Sequence, residues 1–296
     1  MDPAGGKHIL ITGGTSGIGL AAAHQLARRG ANVTIVGRSW DKGQGAVDRM
    51  QAEAGGHQRY LPADLSTLAG VRRLAGQLLE GHEPLDVLIN NAGGMYFRRH
   101  RTADGYERTL ALNHLAPFLL THLLLPALRA AGSARIVTTS SAAHWSGQIN
   151  LDDLHLSRGY SIMRAYSQTK LANILFSNEL ARRLAGSGVT ANSFHPGLVA
   201  TNLAKQNLLL RPFVSLFYSL FARSAEEGAE TLDYLALDPE VEGQSGGYYV
   251  ECKPARSSTS SQDAGLASAL WARSERLVGL DENERLPSLA SGQAQT

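Results

Sequence analysis

Tyr166 and Lys170 stand four residues apart in Tyr166-Ser167-Gln168-Thr169-Lys170. On a helix that spacing puts both side chains on one face. A phenol with an ordinary pKa of about 10 is a poor base near neutrality, and a neighbouring ammonium favours its phenolate. Such a pair can hand a proton to a forming alkoxide, or take one away in the oxidative direction. Taken alone, the spacing is equally that of two surface side chains one turn apart.

A second group lies near the N-terminus. The apolar run 8–12 leads into Thr12-Gly13-Gly14-Thr15-Ser16-Gly17-Ile18-Gly19 and then into the helical pattern Leu20-Ala21-Ala22-Ala23. A strand, a Gly-rich turn and a helix N-terminus make a site for phosphate, because free N–H groups and the helix dipole favour negative charge. Gly13 permits the tight turn, and Gly17 and Gly19 permit close approach to a pyrophosphate. Thr15, Ser16 and Ile18 complete the turn. Glycines alone would also suit an ordinary strand-to-helix turn. The next apolar run, 32–36, ends in Gly37-Arg38-Ser39, with no acid before Asp41. An acid there would bond the adenosine ribose and select NAD(H), whereas an arginine can pair with a 2′-phosphate. The expected cofactor is therefore NADP(H), with Arg38, and Ser39 and Lys42 behind it, as contacts. The alternative is that Arg38 is a solvated surface charge.

These groups need a scaffold, and the hydrophobic pattern supplies one. Residues 8–12, 32–36, 59–64, 85–90, 136–140, 189–195 and 248–250 read as strands. Helical stretches at 20–29, 41–54, 68–79, 106–129, 166–184 and 265–277 alternate with them or follow them, and Pro117 and Pro126 are expected to kink or divide the fourth. Continuous apolar strands alternating with helices predict an α/β fold, a parallel sheet covered on both faces. No linker interrupts the series before Lys253. One domain is expected over 1–252, with a C-terminal extension over 253–296 that carries one helix and a fraying end from Asp281.

The composition excludes several classes. The 296 residues hold 28 Lys and Arg against 26 Asp and Glu, which gives no basic footprint for nucleic acid. One cysteine, Cys252, cannot close an internal disulfide or build a thiolate zinc site, and it suits a reducing, cytoplasmic compartment. The histidines show no metal-ligand spacing. Residues 1–7 carry no apolar signal core, and no uninterrupted run reaches the ~20 apolar residues that span a bilayer.

The Gly13-x-x-x-Gly17-x-Gly19 turn, Asn90-Asn91-Ala92-Gly93, Tyr166-x-x-x-Lys170 and Pro196-Gly197-Leu198-Val199-Ala200-Thr201 occur in one order along the chain. In this the sequence resembles the short-chain dehydrogenase/reductase family. The segments 135–144 and 246–252 are most similar to its retinol dehydrogenase-like branch. The resemblance implies a Rossmann-type doubly wound sheet and an oxidoreductase acting on a small-molecule carbonyl or alcohol. It implies that Lys170 also holds the nicotinamide ribose, that Ser141 bonds the substrate oxygen, with Ser140 as its rival, and that Asn113 positions Lys170 through water. Asp64 and Leu65 would lie beside the adenine, though Asp64 also suits a helix N-cap. Asn90, Asn91, Ala92, Gly93, Pro196, Gly197, Val199 and Thr201 would line the cofactor. His144 and Trp145 either line the substrate pocket or pack beneath the loop around 149–163. The family places a lid after Pro196-Gly197. Segment 207–222 is apolar on more than one side, so it is expected to cover the site and to match a bulky, apolar substrate, with core or subunit-interface packing as the alternative. A nucleotide-binding regulator of the same fold is the rival function. Such a protein would be expected to lose Tyr166 or Lys170.

Overall fold

Short runs of branched apolar residues build the middle layer of the molecule. The computed structural model describes residues 4–197 and 224–286. Its strands are β1 (His8–Thr12), β2 (Asn32–Gly37), β3 (Arg59–Pro62), β4 (Val87–Asn90), β5 (Ala134–Thr139), β6 (Val189–His195), β7 (Tyr248–Val250) and β8 (Lys253–Pro254). The helices are α1 (Gly17–Arg28), α2 (Trp40–Ala54), α3 (Leu68–Leu79), α4 (Arg108–Ala130), α5 (Ile162–Arg183), α6 (Ala225–Leu237) and α7 (Ala264–Val278). The sheet order is β3-β2-β1-β4-β5-β6-β7-β8. Strands β1 to β7 run parallel and β8 returns antiparallel to β7. This is the expected Rossmann-type doubly wound sheet. Its order reverses between β1 and β4, and such a reversal opens a crevice at the strands' carboxyl ends.

Both faces are covered, which explains why the strands lack polar alternation. On one face α1, α2 and α6 bury Ala22, Leu26, Val47, Met50, Leu232 and Leu235. On the other, α3, α4, α5 and α7 bury Val71, Phe118, Leu124, Leu171, Leu175 and Trp271. Helix α6 was not anticipated from the sequence. Its start is set by a capping box in which Ser224 and Glu227 satisfy each other's backbone N–H.

Helix α4 differs from expectation in two ways. Among the described residues it is the one helix long and apolar enough to cross a membrane, yet most of it is buried inside the protein as a core helix. Pro117 and Pro126 do not divide it. Instead Ala111–Leu115 forms a π-helical turn, with Ala116 N–H reaching back to Ala111 C=O. The cause is local: Pro117 has no N–H to give to the carbonyl four residues earlier, that of Asn113. The ladder absorbs the missing bond as a bulge.

The C-terminal extension joins the main core. Trp271 lies against Phe118, His122 and Phe176, with ring centroids 5.0, 4.9 and 5.9 Å away. The fraying expected from Asp281 does not begin there. Arg72 holds Glu284 through two bonds of 2.6 and 3.1 Å and also reaches Gly279 C=O, and Leu286 is buried. Segment 207–222 lies outside the described residues. Trp271→Ala should destabilise the whole domain by about 3–5 kcal/mol, the usual cost of emptying a buried Trp site. A cooperative shift of the entire urea transition checks this. A separate early transition confined to the C-terminal helix would contradict it.

Candidate active site

The carboxyl ends of β1, β4 and β5 and the first turns of α5 converge on one polar patch. Ser161 caps α5, its side chain accepting from Arg164 N–H, so the helix begins a turn ahead of Tyr166. Tyr166 is half-buried and Lys170, one turn on, is buried. The Lys170 ammonium stands 5.4 Å from the Tyr166 ring centroid and donates to Thr139 C=O at 3.0 Å. Asn173 Nδ2 donates to the same carbonyl at 3.0 Å. Ser140 Oγ in turn donates to Lys170 C=O at 2.8 Å. These bonds bolt the end of β5 to the face of α5 that carries Tyr166 and Lys170.

They also separate the two candidate serines. The Ser140 hydroxyl is buried and committed to the helix backbone. Ser141 begins the 3-10 turn Ala142–Ser146, and its oxygen accepts from Ala143 N–H at 3.2 Å. Its own proton is given to no protein group among the described residues, so it can be donated to a ligand oxygen. The turn is held beside Tyr166 because Ser146 Oγ bonds Ser167 Oγ at 3.1 Å. Gly147 lies so close to α5 that a Cβ there would fall 2.5 Å from Ser167 C=O.

Asn113 sits in the π turn and is saturated by backbone and side-chain partners. It accepts from Gly94 N–H at 2.8 Å and donates to Gly94 C=O at 3.0 Å and to Thr169 Oγ1 at 3.1 Å. Its side chain clamps the loop after β4. Gly93 lies between it and Lys170: a Cβ there would be 3.3 Å from Asn113 Oδ1 and 3.8 Å from Lys170 Nζ.

The nucleotide-side residues divide in a similar way. Gly13 has φ +70° and Gly17 φ +56°, values that suit glycine. Gly19 is required by the packing of the turn itself, since a Cβ there would lie 2.5 Å from Gly13 C=O and from Asn91 Nδ2. Ser16 starts α1 with no side-chain cap, and no acid occupies the first turn. The N-terminal N–H groups of α1 thus keep their capacity for an anion, and the turn fits a pyrophosphate. Thr15 packs on Gly37, where a Cβ would come within 2.6 Å of it. Ile18 and Leu65 turn their side chains into the core and leave only backbone for a ligand. Asn90 is also turned away, donating to Thr121 Oγ1 at 3.0 Å beneath the sheet. Asn91 and Ala92 fasten β4 to β1, both N–H groups meeting Thr12 Oγ1 at 3.0 and 3.1 Å. Arg38 is exposed just past the end of β2.

Asp64 is not the cap of α3. Thr67 is, and Asp64 instead accepts from Ser66 N–H and Oγ at 3.0 and 2.8 Å. Burial alone would raise its pKa. The Ser66 bonds, with Arg38 and Arg108 nearby, overcome that and hold the carboxyl below its ordinary value. Pro196 and Gly197, the latter at φ +83°, end β6, while Val199 and Thr201 lie outside the described residues.

His144 does not present polar atoms to a pocket. It is buried, with Nδ1 on Ser141 C=O at 2.7 Å and Nε2 accepting from Ser258 N–H at 3.1 Å. Trp145 beside it is 60% exposed. No three His, Cys, Asp or Glu side chains gather as a metal site among the described residues. A cavity of about 850 Å³, with Arg135, Arg182 and Glu242 in its wall, lies at the amino ends of β5 and β6, far along the strands from this chemistry.

The family model described as short chain dehydrogenase matches residues 7–209. The chain is 42% identical over 289 residues to retinol dehydrogenase 14 of Mus musculus, covering 93% of this chain and 86% of that one. The crystal structure of an uncharacterised protein from Mycobacterium Paratuberculosis superposes with a TM-score of 0.77 at 39% identity, covering 97% of this chain and 99% of the other. L-sorbose reductase from Gluconobacter frateurii, complexed with NADPH and L-sorbose, gives a TM-score of 0.68 at 25% identity, covering 83% of this chain and 94% of the other.

Burial pushes Lys170 down from 10.5 to about 8. The unfolded chain therefore holds this proton more tightly than the folded one. Above the ordinary lysine range both states are neutral and the penalty vanishes; it grows as pH falls through 10.5 towards 8 and stays in full below that. Lys170→Met should consequently raise the melting temperature of the ligand-free protein at pH 7, by at least about 2–4 °C, the shift that 1 kcal/mol gives a large domain. Asn173 still satisfies the Thr139 carbonyl in that variant. Thermal scans between pH 7 and pH 10 test this, since the gap should narrow as pH rises.

Proposed function

The chain belongs to the short chain dehydrogenase family and is an oxidoreductase of the carbonyl/alcohol type; from that premise we propose that it uses NADP(H), with Tyr166 as acid and base, on a bulky, apolar substrate. One observation carries the reading. Tyr166 and a buried Lys170 share one helix face, and that face is bolted to the strand end that delivers Ser141. The nicotinamide supplies or accepts hydride when bound. The protein's part is to place a carbonyl and move a proton. The Ser141 hydroxyl, with its proton uncommitted, donates to the substrate oxygen and steadies the charge that develops there. Tyr166 delivers a proton to that oxygen in reduction and removes it in oxidation. The Lys170 ammonium favours charge on the phenol oxygen, and it is also the donor within reach for a ribose hydroxyl.

The residues that would hold the cofactor are the Gly13 to Gly17 turn with the N–H groups of α1, Arg38 past β2, and Asp64 beside it. An exposed guanidinium and no acid at the end of β2 favour a 2′-phosphate over a bare ribose. The L-sorbose reductase neighbour is complexed with NADPH, in keeping with that choice. For the substrate, Phe97, Trp145 and Met163 are 49%, 60% and 51% exposed. Each lies on a segment leaving the carboxyl end of β4 or β5, or entering α5. Large apolar side chains left in water there suit an apolar ligand, and the relative's name carries retinol, a long apolar alcohol. A reducing, cytoplasmic setting is the compartment that the single cysteine suits.

Tyr166→Phe should keep fold and cofactor affinity but lower kcat by at least about 10²-fold, the scale of a positioned acid or base. Near-normal reduction of retinal or a long-chain aldehyde by this variant would remove Tyr166 from the chemistry. Arg38→Asp should shift the ratio of kcat/KM for NADPH over NADH by at least about 10-fold towards NADH, since repulsion replaces attraction at the phosphate. An unchanged ratio would show that Arg38 does not read it.

A further inference from the structure

Two buried histidines join active-site backbone to the part of the chain that follows the parallel sheet. His144 follows Ser141 by three residues and is fully buried. Ser141 C=O can only accept and Ser258 N–H can only donate. A ring that serves both must be neutral, with its proton on Nδ1. The Ser141 carbonyl also takes the His144 backbone N–H at 3.0 Å, so the imidazole closes a small ring around the serine's own peptide. An apolar side chain could fill the space beside Tyr248, whose ring centroid is 5.1 Å away. It would leave the buried Ser258 amide without a partner.

The second link runs in parallel. His114, directly after Asn113 in the π turn, bonds Ser274 Oγ of α7 at 2.8 Å through Nε2. Ser274 Oγ also donates to Leu270 C=O at 2.8 Å, which fixes the hydroxyl against its own helix. The His114 ring also packs in the core against Phe118 and Phe176, with centroids 6.1 and 6.4 Å away, and its polar link is additional to that packing. The first link ends on the backbone of Ser141, which is assigned to the reaction, and the second on the neighbour of Asn113, which clamps the loop after β4.

We propose that residues 258–278 act as a brace for the catalytic backbone, with His144 as the positioning residue that fixes Ser141 and His114 as the matching link behind Asn113. The proposal rests on the assignment of Ser141 made above. The brace explains why the Ser141 turn holds its angle between two supports: α5 on one side through Ser146 and Ser167, and the Ser258 turn on the other through His144. A small misplacement of a substrate-orienting group costs rate more than it costs binding.

The test is a double-mutant cycle on kcat, with saturating NADPH and the aldehyde that the wild-type enzyme turns over fastest. His144→Ala should lower kcat by about 10-fold or more while the NADPH Kd stays within about 3-fold. In a Ser141→Ala background the same change should cost less than about 2-fold, because a positioning residue has nothing left to position. An equal loss in both backgrounds would overturn the brace, as would a loss confined to NADPH affinity. Wild-type turnover by Ser141→Ala alone would instead overturn the site assignment on which the brace rests. Should His144→Ala fail to fold, 15N chemical shifts of the imidazoles in the wild-type protein still decide: the brace requires the Nδ1–H tautomer at His144, and an Nε2–H ring refutes it.

Discussion

The Lys170 ammonium has been taken out of water and set 3.0 Å from the Thr139 carbonyl, and this one contact organises the carboxyl edge of the sheet. A buried charge needs partners in fixed places, or it lowers its pKa and loses its proton. Here the partners are backbone atoms at the end of β5. The strand end must therefore lie against α5, and Ser140 and Asn173 add bonds across the same junction. The placement of Ser141, one residue further, follows.

The rest of the fold can be seen as the frame that tolerates this arrangement. Apolar layers on both faces of the sheet carry the stability, and the polar patch sits at the carboxyl ends of β1, β4 and β5. The saturation of that patch matters as much as its position. Ser140, the Asn173 Nδ2 group and most of the Asn113 amide bond backbone, which rigidifies the walls. Capacity is left on the Ser141 proton and on the N–H groups at the start of α1. A site built in this way needs little reorganisation when substrate arrives, and preorganised donors act at full strength at the moment of reaction.

Much of this was legible in the residues. Uninterrupted apolar strands announced a two-sided parallel sheet, and the Gly13 to Gly19 turn announced the helix that follows β1. The spacing of Tyr166 and Lys170 was sufficient to put them on one face. Other features depended on partners distant in sequence. Nothing near Asn90 says that its amide turns down to Thr121, thirty-one residues on. Nor does anything near Gly19 say that its missing Cβ makes room for Asn91 and for the Gly13 carbonyl. Helix α6 did have a local signal, Ser224 three residues before Glu227, and the π turn had one in Pro117. Both signals are about backbone bonds rather than hydrophobic period, so a reading based on period passes over them.

The position of the C-terminal extension adds a last constraint on how the site arose. Its polar links reach His114 and His144, while Trp271 and Leu270 bury apolar area against α4 and α5. The hydrophobic contacts are what hold the segment down, because the two histidine links and the Arg72 bonds to Glu284 and Gly279, worth about 1 kcal/mol each, are small against the chain entropy of some thirty residues. The apolar docking therefore comes first in energy, and the polar links use a surface already in place. That order makes the extension a part of the active-site frame rather than an appendage. It also means that a substitution weakening the Trp271 contact would loosen Ser141 and Asn113 without touching either.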